Sequence, residues 1–196
     1  MNLKYLFAEK TRGLRYGVIR VLSPTAYREY FNPTRPMISY VRTVFGRKPL
    51  TGVEIGVAFG ENAKNILKTL NMKRLYLIDP YIPYEDAGDY YLKGFEIVKK
   101  ELAVLPNVTF IHKTSDDAVN DVPCDIDFCY IDGNHSYDYV KRDIENYYPK
   151  IKKGGVIGGH DFSTIWLGVC RAVIEFAAKR RLKLYGRRDD WWVIKP

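Results

Sequence analysis

Cysteine and histidine are scarce, with three of each in 196 residues. Cys124, Cys129 and Cys170 are too few for a disulfide framework, and their spacing fits no zinc-ligand pattern. Buried thiols in a reducing compartment are expected, and with them a cytoplasmic location. Long apolar runs are missing as well. No window approaches the roughly 18 consecutive apolar residues of a membrane span. The first ten residues carry Lys4, Glu9 and Lys10 where a signal peptide would be apolar. Neither an internal repeat nor a low-complexity tract is visible. What is present is globular material, 46% hydrophobic and 28% charged, which argues against disorder for the body of the chain.

The charge is unevenly spread. The net charge is +8, and residues 1–50 account for all of it, with ten Lys/Arg against Glu9 and Glu29. Residues 51–196 hold 21 charges of each sign. The break near Lys48-Pro49-Leu50-Thr51-Gly52 suggests two parts: a basic, partly helical N-terminal cap over 1–50 and a neutral domain over 51–196. In the cap, Ser23-Pro24 reads as a helix start. Pro36 opens a second helix, with Met37, Tyr40, Val41, Val44 and Phe45 on one face and Gly46 as its stop.

Beyond residue 51, short apolar runs alternate with amphipathic stretches. Gly52–Val57, Leu75–Ile78, Val108–Ile111, Ile126–Ile131 and Val156-Ile157 read as strands, the last entered through a Gly154-Gly155 turn. Ala63, Ile66, Leu67 and Leu70 share a helix face behind a capping Asn62. Tyr91 to Leu102, Val140 to Tyr147 behind Ser136, and Val169 to Phe176 mark further helices. Leu182–Tyr185 and Trp191–Ile194 look like a closing hairpin. This alternation predicts an α/β fold: a Rossmann-like, seven-stranded, mostly parallel sheet with helices on both faces and an antiparallel C-terminal strand.

Chemistry enters at the strand ends. Val53-Glu54-Ile55-Gly56-Val57-Ala58-Phe59-Gly60 joins a strand to a helix, where glycines let backbone approach a ligand. It is neither a dinucleotide fingerprint nor a phosphate loop, since Ala58 and Glu61 stand where G-x-G-x-x-G needs glycine and no Gly-Lys-Ser/Thr follows. An acid two residues before the first glycine repels a pyrophosphate and suits an ammonium group. Asp79 ends the next strand, 23 residues after Gly56, where a carboxylate can accept the hydroxyls of a ribose. The plainer alternatives are a tight turn for the glycines and a turn aspartate before Pro80.

Glu54-x-Gly56-x-x-x-Gly60, Asp79, then Tyr130-Ile131-Asp132-Gly133-Asn134-His135-Ser136-Tyr137, then Gly154-Gly155-Val156-Ile157-Gly158-Gly159-His160-Asp161 together resemble a class I S-adenosylmethionine-dependent methyltransferase. The similarity is to the group with I-D-G-x-H-x-Y and G-G-x-I-x-x-H-D segments, related to metal-dependent O-methyltransferases of catechol and of antibiotic sugars. It covers about residues 50–196; residues 1–50 carry none of it. The resemblance implies that Glu54, Gly56 and Gly60 line the methionine end of the cofactor and that Asp79 takes the ribose hydroxyls. It places Ser115 and Asp116 at the adenine; the position of Asp132 also lets it contact the methionine amine. Lys113 to Asp117 is equally an ordinary helix N-cap with acids in its first turn.

Asp132 and His160-Asp161 each close a strand, and neighbouring strands lie about 4.8 Å apart. These side chains can therefore converge on a divalent cation. His160 departs from the all-oxygen set of the metal-dependent relatives, which leaves Mg2+, Mn2+, Fe2+ and Zn2+ open. His135 is a candidate general base or a loop anchor, and with Asp132 and His160 completes the candidate catalytic set. His112, in an apolar strand, reads as structural. The expected function is methyl transfer from S-adenosylmethionine to a small-molecule hydroxyl, with a divalent cation lowering its pKa. Two alternatives stand beside it. One is an RNA or other nucleic-acid methyltransferase, suggested by a basic segment interleaved with Tyr5, Phe7, Tyr16, Tyr27, Tyr30 and Phe31. Against it, the Asn/Asp-Pro-Pro-aromatic motif of base-amine methylation is replaced here by Asp132-Gly133-Asn134-His135. The other is a ligand-binding module without catalysis, which residues 1–50 dock on an anionic membrane surface or an acidic partner.

Overall fold

The computed structural model describes residues 34–82 and 90–196. The helix start read at Ser23-Pro24 and most of the basic segment lie outside the described residues. The unit that carries the sheet runs Arg35–Pro196. Its elements are α1 (Pro36–Phe45), β1 (Leu50–Ile55), α2 (Glu61–Thr69), β2 (Met72–Ile78), α3 (Tyr90–Glu101), β3 (Val108–Ile111), α4 (Ser115–Ala118), β4 (Ile126–Ile131), α5 (Tyr137–Tyr147), β5 (Ile151–Gly159), α6 (Leu167–Lys179), β6 (Tyr185–Arg187) and β7 (Asp190–Ile194).

The strands form one seven-stranded sheet in the order β3-β2-β1-β4-β5-β7-β6. The β1–β2, β1–β4, β2–β3 and β4–β5 pairings are parallel, whereas β7 runs antiparallel to both β5 and β6. Burial follows the strand alternation from Phe128 onward, past the irregularity between Ile126 and Phe128. On β4, Ile126, Cys129 and Ile131 pack with Val140 and Ile144 of α5 and with Val169 and Val173 of α6. Phe128 and Tyr130 point the other way, into a core built with α1, α2 and α3. The sheet therefore has helices on both faces, as expected of parallel strands buried on both sides.

α1 belongs to this core although it comes from the basic segment. Met37, Ile38 and Val41 are wholly buried, and the Met37 amide donates to Asp190 Oδ2 at 3.0 Å. The compact unit starts at Arg35, inside the 1–50 stretch read as a cap, and α1 joins it through its buried face, with Arg42 as its one charge.

Several local expectations change. Gly154-Gly155 does not turn into a short strand: β5 begins at Ile151 and passes through Gly154 at φ +74. The pairing with β4 shifts register between Ile126 and Phe128. Leu182 and Leu184 pack half-buried on the core instead of forming a strand. α2 is capped by Gly60, and Asn62 sits in its first turn. His112 follows β3 rather than lying in it; it is exposed, contacts the Pro80 carbonyl at 2.9 Å and lies tilted against Phe95.

Candidate active site

The carboxyl ends of β1, β2 and β4 and the loop before α6 enclose a cavity of about 760 Å3, within the usual range for small-molecule sites. Gly56, Asp79, Ser115, Asp132, Asn134, His135, Tyr139, Asp143 and Ile165 to Gly168 are among its lining residues. Glu54, Gly60, Asp116, His160 and Asp161 are not.

Gly56 turns the chain at φ +83, and a Cβ there would sit 2.1 Å from the Asp132 carbonyl oxygen. Glycine is required because β1 and β4 leave the sheet in backbone contact. Asp79 fixes the same turn. Its Oδ2 accepts from the Val57 and Ala58 amides at 2.8 and 3.0 Å, and its Oδ1 from the Tyr81 amide at 2.8 Å. A carboxylate offers about four acceptor positions, so one remains for a ligand. Gly60, at φ +74, lies against Val98 of α3 and Leu102 just past it, and serves helix packing.

Glu54 is 1% exposed. Its Oε1 accepts from Asn62 Nδ2 at 3.1 Å, while Oε2 is buried with no hydrogen-bond partner. Burial pushes its carboxyl up to about 8, against the Asn62 bond and with nearby Asp132 adding to the rise. An orphaned buried carboxyl oxygen costs about 1–3 kcal/mol or more. A cationic ligand group would remove that cost.

At the adjoining end of the edge, five side chains converge. His135 Nε2 lies 2.7 Å from Asp161 Oδ2. His160 Nδ1 lies 3.2 Å from Asp161 Oδ1 and 3.9 Å from Asp132 Oδ1. Arg35, just ahead of α1, brings its guanidinium to 3.6 Å from Asp132 Oδ2. Burial raises the Asp132 carboxyl to about 6, with Arg35 and His160 pulling the other way. Asp161 is held well below the carboxylate range, since the bonds from His135 and His160 overcome its partial burial. His160 is raised: burial opposes its charge, but the Asp161 bond prevails. The Asp161 backbone is left-handed, at φ +61, a conformation that aspartate tolerates better than most residues. Donor atoms of Asp132, His135 and Asp161 fall within 4.8 Å of one another, and His160 also approaches both carboxylates.

Ser115 lines the cavity and donates to Asp143 Oδ1. Asp143 also lines it, and burial raises its carboxyl to about 7 despite the Ser115 bond. Asp116 instead accepts from Arg142 and Asn146 on the surface. Asp143 had a legible signal, an acid at the buried i+3 position of the Val140, Ile144 and Tyr147 face. Arg35 and Asp190 had none. Asp190 reads as a turn residue, yet it is 1% exposed and also accepts from Tyr130 Oη at 2.9 Å. Trp166 stacks on His135 with centroids 4.3 Å apart.

A Rossmann-like sheet with one antiparallel strand near its edge, a glycine turn after β1 and acids closing β2 and β4 define a class I methyltransferase. A model of the methyltransferase-domain family matches residues 53–162, and the chain belongs to that family of S-adenosylmethionine-dependent methyltransferases. It is 27% identical over 159 residues to an uncharacterised protein of Acanthamoeba polyphaga mimivirus, covering 79% of this chain and 70% of that one. Among solved structures, it is similar to the O-methyltransferase NovP, with a TM-score of 0.59, 21% identity, and coverage of 81% and 79% of the two chains. The TDP-rhamnose 3'-O-methyltransferase of calicheamicin biosynthesis gives a TM-score of 0.61 at 15% identity, covering 95% and 94%. A Streptococcus mutans protein solved with SAH gives 0.60 at 14% identity, covering 82% and 96%. Among the described residues no helix is long and apolar enough to cross a membrane.

Proposed function

We propose that the protein methylates a hydroxyl oxygen of a small molecule with the assistance of a divalent cation. The observation that carries this reading is the approach of Asp132, His135 and Asp161 donor atoms to within 4.8 Å of one another, beside a cavity suited to the cofactor. When bound, S-adenosylmethionine supplies a methyl group on a sulfonium, ready for displacement by an oxygen lone pair. Glu54, with its unpartnered Oε2, and Asp132 would receive the cofactor's ammonium. The remaining acceptor position of Asp79 would take a ribose hydroxyl, and Ser115 with Asp143 would face the base. The two carboxylates suit Mg2+ or Mn2+, and the imidazole favours Mn2+ of the two; the ion would hold the acceptor hydroxyl and lower its pKa. His160 holds Asp161 in place, and Arg35 offsets the charge of Asp132.

A second reading rests on the 2.7 Å contact between His135 Nε2 and Asp161. With Nε2–H donated to an ionised Asp161, Nδ1 is left to accept the hydroxyl proton, a general-base role that needs no metal.

Labelled S-adenosylmethionine offered with a panel of hydroxyl and amine compounds tests the reaction. A methyl ether identified by mass spectrometry supports it, and methylamine products alone overturn it. Chelation decides between the readings. The metal reading expects turnover to fall by about two or more orders of magnitude and to return with Mg2+ or Mn2+. Turnover unchanged by chelator but abolished in His135→Ala would establish the base instead.

A further inference from the structure

Ile165, Trp166 and Leu167 are exposed by 80%, 40% and 68%. Three consecutive exposed apolar residues are a fault in a folded surface unless they meet something. They stand where the chain has left β5 and enters α6, and all three line the cavity. The segment is held in place. The Trp166 amide donates to the Ser163 carbonyl at 3.1 Å, and Cys170 Sγ contacts that carbonyl at 3.2 Å. Gly168 fits so tightly that a Cβ would lie 2.7 Å from the His135 carbonyl oxygen.

Sheet order assigns the segment to one side of the cavity. Asp79 closes β2, and β1 and β4 intervene before β5. Three strand spacings of about 4.8 Å put the β5 end roughly 14 Å from the β2 end. A cofactor whose ribose meets Asp79 extends its base toward β3 and Ser115, away from β5. The apolar wall therefore adjoins the other end of the cavity, at His135. The lining contains Asp79, Asp132 and Asp143 but, among the described residues, no lysine or arginine, in a chain of net charge +8. A phosphate or carboxylate on the acceptor would meet these carboxylates, and the nearby Arg35 is already paired with Asp132.

We infer that Ile165, Trp166 and Leu167 select the acceptor, and that it is an uncharged hydroxyl compound with a flat apolar face laid against this wall. The inference rests on the O-methylation reading for its chemistry, but binding tests it separately. Calorimetry on the SAH-loaded full chain would compare 2,3-dihydroxynaphthalene, methyl rhamnoside and glucose 1-phosphate. The expected result is that the naphthalene diol binds tightest and the sugar phosphate weakest. Ile165→Ser/Leu167→Ser, which alters only exposed side chains, should weaken the diol by about tenfold to a hundredfold, because the ring face would then rest on hydroxyls instead of hydrocarbon. The same variant should leave SAH affinity within about twofold. Trp166→Ala should show the same pattern and also alter turnover, because Trp166 stacks on His135. Tighter binding of either sugar compound overturns the inference, as does absence of diol binding. An equal loss of SAH affinity in the double variant overturns it too, since the wall would then hold the cofactor's base. Diol binding without any methyl ether refutes the O-methylation reading while leaving the acceptor class standing.

Discussion

The two ends of one sheet edge satisfy their acids differently. At β1 and β2, Asp79 is saturated almost entirely by backbone amides. At β4 and β5, Asp132 and Asp161 face side chains, His135, His160 and Arg35. Amides neither titrate nor swing away, so the first end is a rigid cradle whose shape is set by the fold. Imidazole and guanidinium side chains can rotate and change partners, so the second end can take up or release a cation. Glu54 stands between the two regimes, buried like the first and incompletely paired like the second.

The largest effect should come from breaking the cradle's backbone. Gly56→Ala forces a Cβ into the Asp132 carbonyl and a left-handed φ onto alanine. Strain and overpacking together should cost about 2–5 kcal/mol. Gly133→Ala is the control, since its Cβ would meet nothing closer than Ile55 Cγ2 at 3.6 Å. Thermal unfolding should separate the two by several degrees, and equal melting temperatures would refute the close-approach argument.

The converse test strips charge from the reactive end without disturbing the cradle. Asp161→Asn keeps a residue that accepts the left-handed backbone but removes the anion shared by His135 and His160. Turnover should drop about a hundredfold or more, while SAH affinity by calorimetry stays within a few-fold. Loss of SAH binding in a folded variant would mean that the two ends act as one site.

Glu54 sharpens the comparison through pH. Its folded-state pKa of about 8 exceeds its ordinary value of 4.5, so between those values the unliganded folded state holds a proton that the unfolded state has lost. Unliganded stability should therefore decline as pH rises through that window. A cationic ligand favours the ionised carboxylate, so SAH affinity should rise between pH 6 and 8.5. In Glu54→Gln both trends should flatten. A variant that keeps the wild-type pH profile of SAH affinity would remove Glu54 from the ammonium site.

The smallest change expected is Asn62→Ala. It deletes the single neutral bond to Glu54 Oε1, worth about 1 kcal/mol, and should weaken SAH binding by only a few-fold. A loss of a hundredfold would show Asn62 touching the cofactor itself.

Strand-helix alternation, the antiparallel closing strand and the acids at strand ends are written in the sequence, because burial alternates with period 2 or 3.6 and strand ends follow from it. Gly56 was legible as a turn, and Asp132 and Asp161 as neighbours, since both close strands of a parallel sheet. Contacts between segments distant along the chain were not legible. Arg35 reaches Asp132 only because α1 is buried across the sheet. Asp190 reads as a turn acid until β7 carries it into the core against Met37 and Tyr130. His135 meets Asp161 through a contact that no spacing along the chain gives. Ile165, Trp166 and Leu167 are apolar by type, and only the fold leaves them exposed at the cavity. Local periodicity decides which residues are buried and which elements form; side-chain reach across strands, which no spacing along the chain encodes, decides which charged groups meet.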